Sequence, residues 1–441
     1  MPTSFRPYTP NQSHLLPPSP KDWLPEGHLA NLVSDVVDDL DLRKFYDPYK
    51  GDGRRNRPFD PRMMIKVIVY GYAVGVRSSR KIAKKLHEDI AFRVLASENF
   101  PAHRTISDFR QQHLKELGRL FVKVVRLAQE IGLLKIGTLA IDGSKVKANA
   151  SKHKSMSYGR MKQEQRNLKQ QIKKILEEAE AIDAYEDELY GKDNTGDELP
   201  EKLRRREDRL AEIAAAKKRL EQRQAEEDKK RGRKPRDGKK SAKGGRNYKR
   251  NFGVPEDKAQ ENFTDPDSRI MKGSEGYVQA YNGQIAVDEA SQLIVAAGLT
   301  QNAGDNGELI PILEEAERIT GQAPDQVLAD AGYKGEENFK QLESKQIDGY
   351  ISLGREGKKI KYIPDKSSPA SRRMHKKLRS PPGKTRYKRR KAIVEPVFGW
   401  AKEILGFRRF SLRGLEKVRA EWDLVCLALN MKRIHTLLEQ G

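Results

Sequence analysis

The sequence predicts an α/β protein, in which a mixed sheet flanked by helices follows an all-helical domain and is interrupted by a long helical hairpin. Three observations carry this. Apolar residues recur at helical spacing through roughly the first third of the chain, and short β-rich runs begin at Gly137. Two long charged segments, with apolar positions three and four apart, then separate the first strands from the rest.

Residues 1–27 are rich in Pro and Ser and are expected to form a flexible arm. Residues 28–133 read as an all-helical domain. HLANLVSDVVDDLDL has helical periodicity, and DPRMMIKVIVYGYAVGV follows with Asp60 as N-cap and Pro61 at the first helical position. In SSRKIAKKLHEDIAFRVLAS and HRTISDFRQQHLKELGRLFVKVVRLAQEIG, a helix-turn-helix-like unit and a plain bundle with solvated lysines both fit.

The α/β core comprises 134–158 and 251–441. GTLAID and KVKANA read as two short strands, and GYVQAYNGQIAVDEASQLIVAAGLTQ as a hairpin turning near Glu289–Ser291. A helix follows in DNGELIPILEEAERI, where Asp305 and Glu308 have capping-box spacing. QVLAD is a strand, GEENFKQLESKQ a helix and DGYISL a strand. Within 159–228, Leu168, Ile172, Ile175, Ala179 and Ile182, then Leu203, Leu210, Ile213 and Leu220, mark an antiparallel helical hairpin. Residues 229–250 form a basic linker too polar to pack, and about 360–387 reads as a second basic, flexible connection.

Charge narrows the function. The 441 residues hold 86 Lys and Arg against 63 Asp and Glu, a net charge of +23. Such an excess favours phosphate backbones, through counterion release, or anionic membranes. No apolar run approaches the roughly 18 residues of a membrane span, and the N-terminus lacks the pattern of a secretory signal. Nucleic acid is the expected partner. The one cysteine, Cys426 in LVCLALN, suits a buried small hydrophobe in a reducing, cytoplasmic compartment. The eight histidines show no metal-ligand spacing, and no glycine-rich phosphate cradle implies ATP.

Three carboxylates stand out. Asp142 and Asp330 end apolar strand-like runs, and Glu395 lies in the basic run YKRRKAIVEPVFGWAKEILGFRRFSLRG. Acids on strand ends, with a third on a packed helix, suit two divalent cations about 3.5–4 Å apart acting on a phosphodiester. Asp142 before Gly143 and Asp330 before Ala331-Gly332 also suit turns, and Glu395 also suits pairing with nearby Arg or Lys.

In these blocks the sequence resembles the DDE transposases of bacterial insertion sequences. LAIDGSKVKANAS is similar to the first-aspartate region, VLADAGYKG to the second, and VEPVFGWAKEILGFRRFSLRGLEKVRAEW to the glutamate region. The resemblance implies a ribonuclease H-like catalytic fold, and a metal-binding catalytic triad of Asp142, Asp330 and Glu395 holding two Mg²⁺ or Mn²⁺ ions. In the family's helical signature, Lys402 stands seven residues after Glu395, Lys391 replaces the usual arginine four before it, and Tyr387 lies one position early. The expected DNA contacts are Lys402, Lys391, Arg390, Lys145, Arg408 and Arg409. The implied activity is cleavage of transposon ends and joining of the 3′-hydroxyl to target DNA. Double-stranded DNA is the implied partner, the enzyme acts as a homo-oligomer on paired ends, and its place is at the nucleoid. A nuclease of the same fold without strand transfer, and an inactive DNA-binding derivative, are the alternatives.

Overall fold

The computed structural model describes residues 20–49, 57–190, 201–235, 248–273, 276–354 and 369–440; most of the expected N-terminal arm therefore lies outside the described residues. The helical segment comprises α1 (Leu29–Asp39), α2 (Arg43–Tyr46), α3 (Pro61–Ala73), α4 (Ser79–Glu88), α5 (Ile90–Leu95), α6 (His103–Gln112) and α7 (Leu114–Glu130). Asp60 caps α3 as expected, its carboxylate accepting from the Arg62 N–H, with Pro61 at the first position. Nearly every residue of α3 from Met63 to Ala73 is buried, which marks it as the central helix. On α7 the buried positions Leu117, Leu120, Phe121, Val124, Val125 and Ala128 form one apolar stripe.

The sheet is built from β1 (Thr138–Lys147), β4 (Arg269–Gly273), β5 (Gly276–Asp288), β6 (Ile294–Thr300), β7 (Gln326–Ala329) and β8 (Asp348–Ile351); β2 (Ser155–Ser157) and β3 (Gln260–Asn262) form a separate two-stranded ribbon. β6, β5 and β1 are antiparallel neighbours, while β7 and β8 continue parallel to β1. This mixed order, with helices α10 (Leu309–Thr320) and α11 (Glu336–Ser344) between the later strands, is the ribonuclease H-like arrangement. The expected break between GTLAID and KVKANA is absent. β5 pairs continuously from Leu139↔Asp288 to Lys147↔Ala280, so one ten-residue strand runs through Gly143.

Two long helices, α8 (Tyr158–Tyr190) and α9 (Glu201–Lys230), form the expected hairpin. Met161, Leu168, Ile213, Ala216 and Leu220 pack together at its root in a small separate core. Ile182 of the expected stripe falls where no side chain is described. Fully buried Asp228 accepts from Arg233, Arg250 and the Gly253 N–H, pinning both flanks of the basic tract to one carboxylate. Residues 236–247 of that tract lie outside the described residues.

The expected flexible connection at about 360–387 is corrected over its second half. α12 (Pro369–Arg379) and α13 (Pro381–Gly399) occupy it, separated by Ser380 alone. Ser380 Oγ accepts from the Gly383 N–H and Pro381 sits at the first helical position, a strong start signal. Residues 355–368 lie outside the described residues. The chain closes with α14 (Leu415–Gln440), which packs on α3 and α7 on one side and on β6 on the other. Helical segment and sheet thus share one continuous core, with Trp422 and Cys426 buried in it.

Candidate active site

β7 ends at Ala329, opposite Ile141 of β1. Asp142 and Asp330 are the next residues on these two parallel strands, so register alone brings them to adjoining positions. Beyond them β1 continues without its β7 partner until Lys147 meets Arg409 in a parallel bridge. The resulting gap along one edge of β1 opens at the two aspartates. Asp330 closes its own turn, its carboxylate accepting from the Gly332 N–H at 2.7 Å, whereas Asp142 accepts from the Gly143 N–H at 2.8 Å within the continuous strand. For Asp330 the turn-forming and site-forming readings are compatible.

Burial pushes the Asp142 carboxyl up to about 6; Arg390 opposes the shift and the neighbouring Asp330 adds to it. Asp305 lies beside them. Its carboxylate accepts from Lys145 at 3.0 Å on both oxygens, from Asn282 at 2.6 Å and from Gln284 at 2.9 Å. The expected Asp305–Glu308 capping box does not form, because Asp305 turns into the sheet and Glu308 accepts from Asn302 instead. Tyr333, fully buried, donates to Gln284 Oε1, and burial beside Asp305 holds its hydroxyl well above the usual range. Asp305 was hidden from sequence reasoning by its local spacing; its side-chain partners are 21 to 160 residues away.

α13 runs along β1 in the same direction. Arg386 bonds Glu289 and Thr138 near the start of β1, and Arg390 reaches Asp142 at 3.3 Å. Arg390 is 7% exposed, so it faces the site as a counter-ion to Asp142, and its expected role as a surface DNA contact is not where the fold puts it. Ile393, Val394 and Val397 are buried against the core, leaving Glu395 and Lys391 exposed on the other flank. Among the described residues no three His, Cys, Asp or Glu side chains gather as a ready metal cage. The strand acids are brought together; Glu395 lies further along the adjacent helix, between Arg390 and Lys402.

Pro396 sits inside α13, and from Trp400 to Ile404 the helix widens into a π turn, with the Leu405 N–H bonding Trp400 O at 2.9 Å. The seven-residue spacing of Glu395 and Lys402 is therefore not a straight α-helical stripe. Lys402 turns toward β1, where a cavity of about 100 Å³ is lined by Lys145, Lys147, Lys402, Phe407, Arg408, Val146, Val278 and Gly273. Three of the expected DNA contacts, Lys145, Lys402 and Arg408, thus share one basic recess. Arg408 also pairs with Glu403 at 2.6 Å, and Arg409 is exposed beside the end of β1. Arg77 of the helical segment donates to Gly406 O at 2.8 Å and stacks over Phe407, fastening that segment to the rim of the recess.

The oxygen donors of Asp142 and Asp330 suit a hard divalent cation, since two adjoining, half-buried carboxylates carry charge that the Arg390 guanidinium offsets only in part. No helix is long and apolar enough to cross a membrane among the described residues. Two family models match the chain: Transposase DDE domain over residues 250–431 and Transposase domain (DUF772) over residues 18–112. The first contains Asp330 and Glu395; Asp142, before the hairpin, reaches Asp330 through the pairing of β1 with β7. No curated protein and no solved structure matches the chain. A helical segment and a split α/β core, each matched by a transposase domain, lead to one conclusion: the chain belongs to the DDE-class transposases of insertion sequences.

Proposed function

We propose that this transposase cuts the ends of its element and joins the freed 3′-hydroxyl to target DNA, with Asp142, Asp330 and Glu395 as its metal-holding triad. The observation that carries this reading is the meeting of Asp142, within β1, and Asp330, at the end of β7, beside the recess lined by Lys145, Lys402 and Arg408. Two Mg²⁺ or Mn²⁺ ions bound there would lower the pKa of an attacking water and neutralise charge at phosphorus. Asp142 and Asp330 would hold them from the sheet, with Glu395 supplying the third carboxylate from the exposed flank of α13. Arg390 keeps the Asp142 carboxylate oriented across the site. Lys145, Lys402 and Arg408 hold the phosphodiester strand along the open edge of β1, in line with the two carboxylates. Lys391 and Arg409, both exposed, add phosphate contacts further out. The helical segment 28–133 grips the transposon end, and paired ends bring two copies together on DNA.

The reading is tested with purified protein, Mg²⁺ and DNA carrying the element's ends. Joined products are expected from the natural chain, and none from Asp142→Asn, Asp330→Asn or Glu395→Gln, each still binding DNA through its Lys and Arg contacts. Cutting without joining would identify a nuclease; unchanged products from the three variants would overturn the triad.

A further inference from the structure

Asp305 occupies an unusual position for a residue outside the triad. Its carboxylate lies between Gly143, next to Asp142 in β1, and Gly332, in the turn after Asp330. A Cβ added at Gly143 would come within 2.4 Å of Gln284 Nε2 and 2.8 Å of Asp305 Oδ1, and one added at Gly332 within 2.9 Å of Asp330 Oδ1 and 3.0 Å of Asp305 Oδ2. The Asp305 carboxylate thus packs against the backbone beside both aspartates, where the chain carries glycine. Four hydrogen bonds from Lys145, Asn282 and Gln284 fix the group from the sheet side, and Gln284 is itself held by Tyr333. A carboxylate with so many donors cannot rotate away without leaving buried amides unpaired. The Lys145 ammonium balances its charge, which makes a third acid tolerable next to two others.

We infer that Asp305 is a positioning residue: a wedge that sets the separation of Asp142 in β1 from the turn after Asp330, clamped in place by Lys145, Asn282 and Gln284. It acts through the two aspartates and is not itself a metal ligand. The inference rests on the reading of Asp142 and Asp330 as cation-holding groups. It assigns Lys145 two duties, one as clamp on Asp305 and one as a wall of the basic recess.

The test is Mn²⁺ binding to the full-length protein, read by titration calorimetry, with thermal melting measured alongside. Asp305→Ala should weaken Mn²⁺ binding tenfold or more in protein that still melts cooperatively. Asn282→Ala, which removes one clamp on Asp305 without touching either aspartate, should weaken it in the same direction by a smaller factor. Glu308→Ala, whose carboxylate accepts from Asn302, should leave binding unchanged. Were Asp305→Ala too unstable to purify, Asn282→Ala against Glu308→Ala would still decide. Natural protein that binds no Mn²⁺, even with DNA, would overturn both this inference and the metal-holding triad. Natural protein that binds normally, with Asp305→Ala or Asn282→Ala affecting only the melting temperature, would overturn the wedge alone.

Discussion

At the sheet, Asp142 and Asp330 are placed by backbone register: two parallel strands, paired through Ile141↔Ala329, deliver the next residues of each to adjoining positions. Along α13, by contrast, Glu395 is placed by a helix that begins at a sharp corner, contains a proline and widens into a π turn. Up to Ile141, β1 cannot shift without breaking ladder hydrogen bonds on both of its sides. In the helical region only the face bearing Arg386, Arg390, Ile393, Val394 and Val397 is anchored, and Glu395 lies off it. The strand acids are thus held rigidly in the fold, whereas the reach of the third acid depends on how α13 sits.

Strand cleavage tests this contrast with the largest effect. Asp142→Asn and Asp330→Asn should each lower the cleavage rate by at least about 10³-fold, by analogy with the size of other transition-state charge contributions. Glu395→Gln should abolish cleavage as well, but with a weaker loss of Mn²⁺ affinity than either aspartate variant, measured by the same titration. Equal losses for all three would erase the proposed difference between sheet and helix.

Stability gives the next effect. The Asp142 carboxyl sits near 6 in the fold, raised by burial above its ordinary value of 3.8. A group raised in this way supports the fold most below pH 4, and that support is lost as pH rises through 4 to 6. In the absence of metal, Asp142→Asn should therefore be more stable than the natural protein at pH 7, by on the order of 2–3 kcal/mol. The difference should vanish near pH 4 in denaturant titrations. On the helical side, Gly383→Ala places a methyl against the Lys377 backbone at the α12–α13 corner. It should cost about 1–3 kcal/mol by overpacking and lower cleavage while sparing DNA affinity. The smallest effect is expected at Lys402. Lys402→Met should reduce the salt dependence of DNA binding by about one phosphate contact, read from affinity against salt concentration.

The same contrast explains what could be read from the chain. Asp142 and Asp330 were legible because an acid terminating an apolar run is costly unless it has a task, and the sheet fixes where such a run ends. The N-cap at Asp60, the hairpin stripe through Leu168 and Leu220, and the turn after Asp288 were equally local signals. Tertiary contacts overrode local ones elsewhere. Gly143 looked like a turn, but a thirteen-residue partner strand carries β1 straight through it. The charge of the segment before Tyr387 suggested a flexible tether, although Glu336 and Glu343 reach across to α12 and let a basic helix pack. Arg390 looked like one cation among many, and only the helix phase shows it turned inward to Asp142. Asp305 had the spacing of a helix cap, and its true partners are too far along the chain for any local pattern to reveal.

The placement of α14 has a bearing on how the chain is made. α3 and α7 bury their apolar stripes against a helix that is synthesised about 285 residues after α7 is complete. At roughly 5–20 residues per second, translation leaves those stripes without their partner for about 15–60 s. The first helices must therefore wait, loosely collapsed or shielded by a chaperone, until the last one leaves the ribosome. A chain that stops before Leu415 lacks the wall against which its beginning closes.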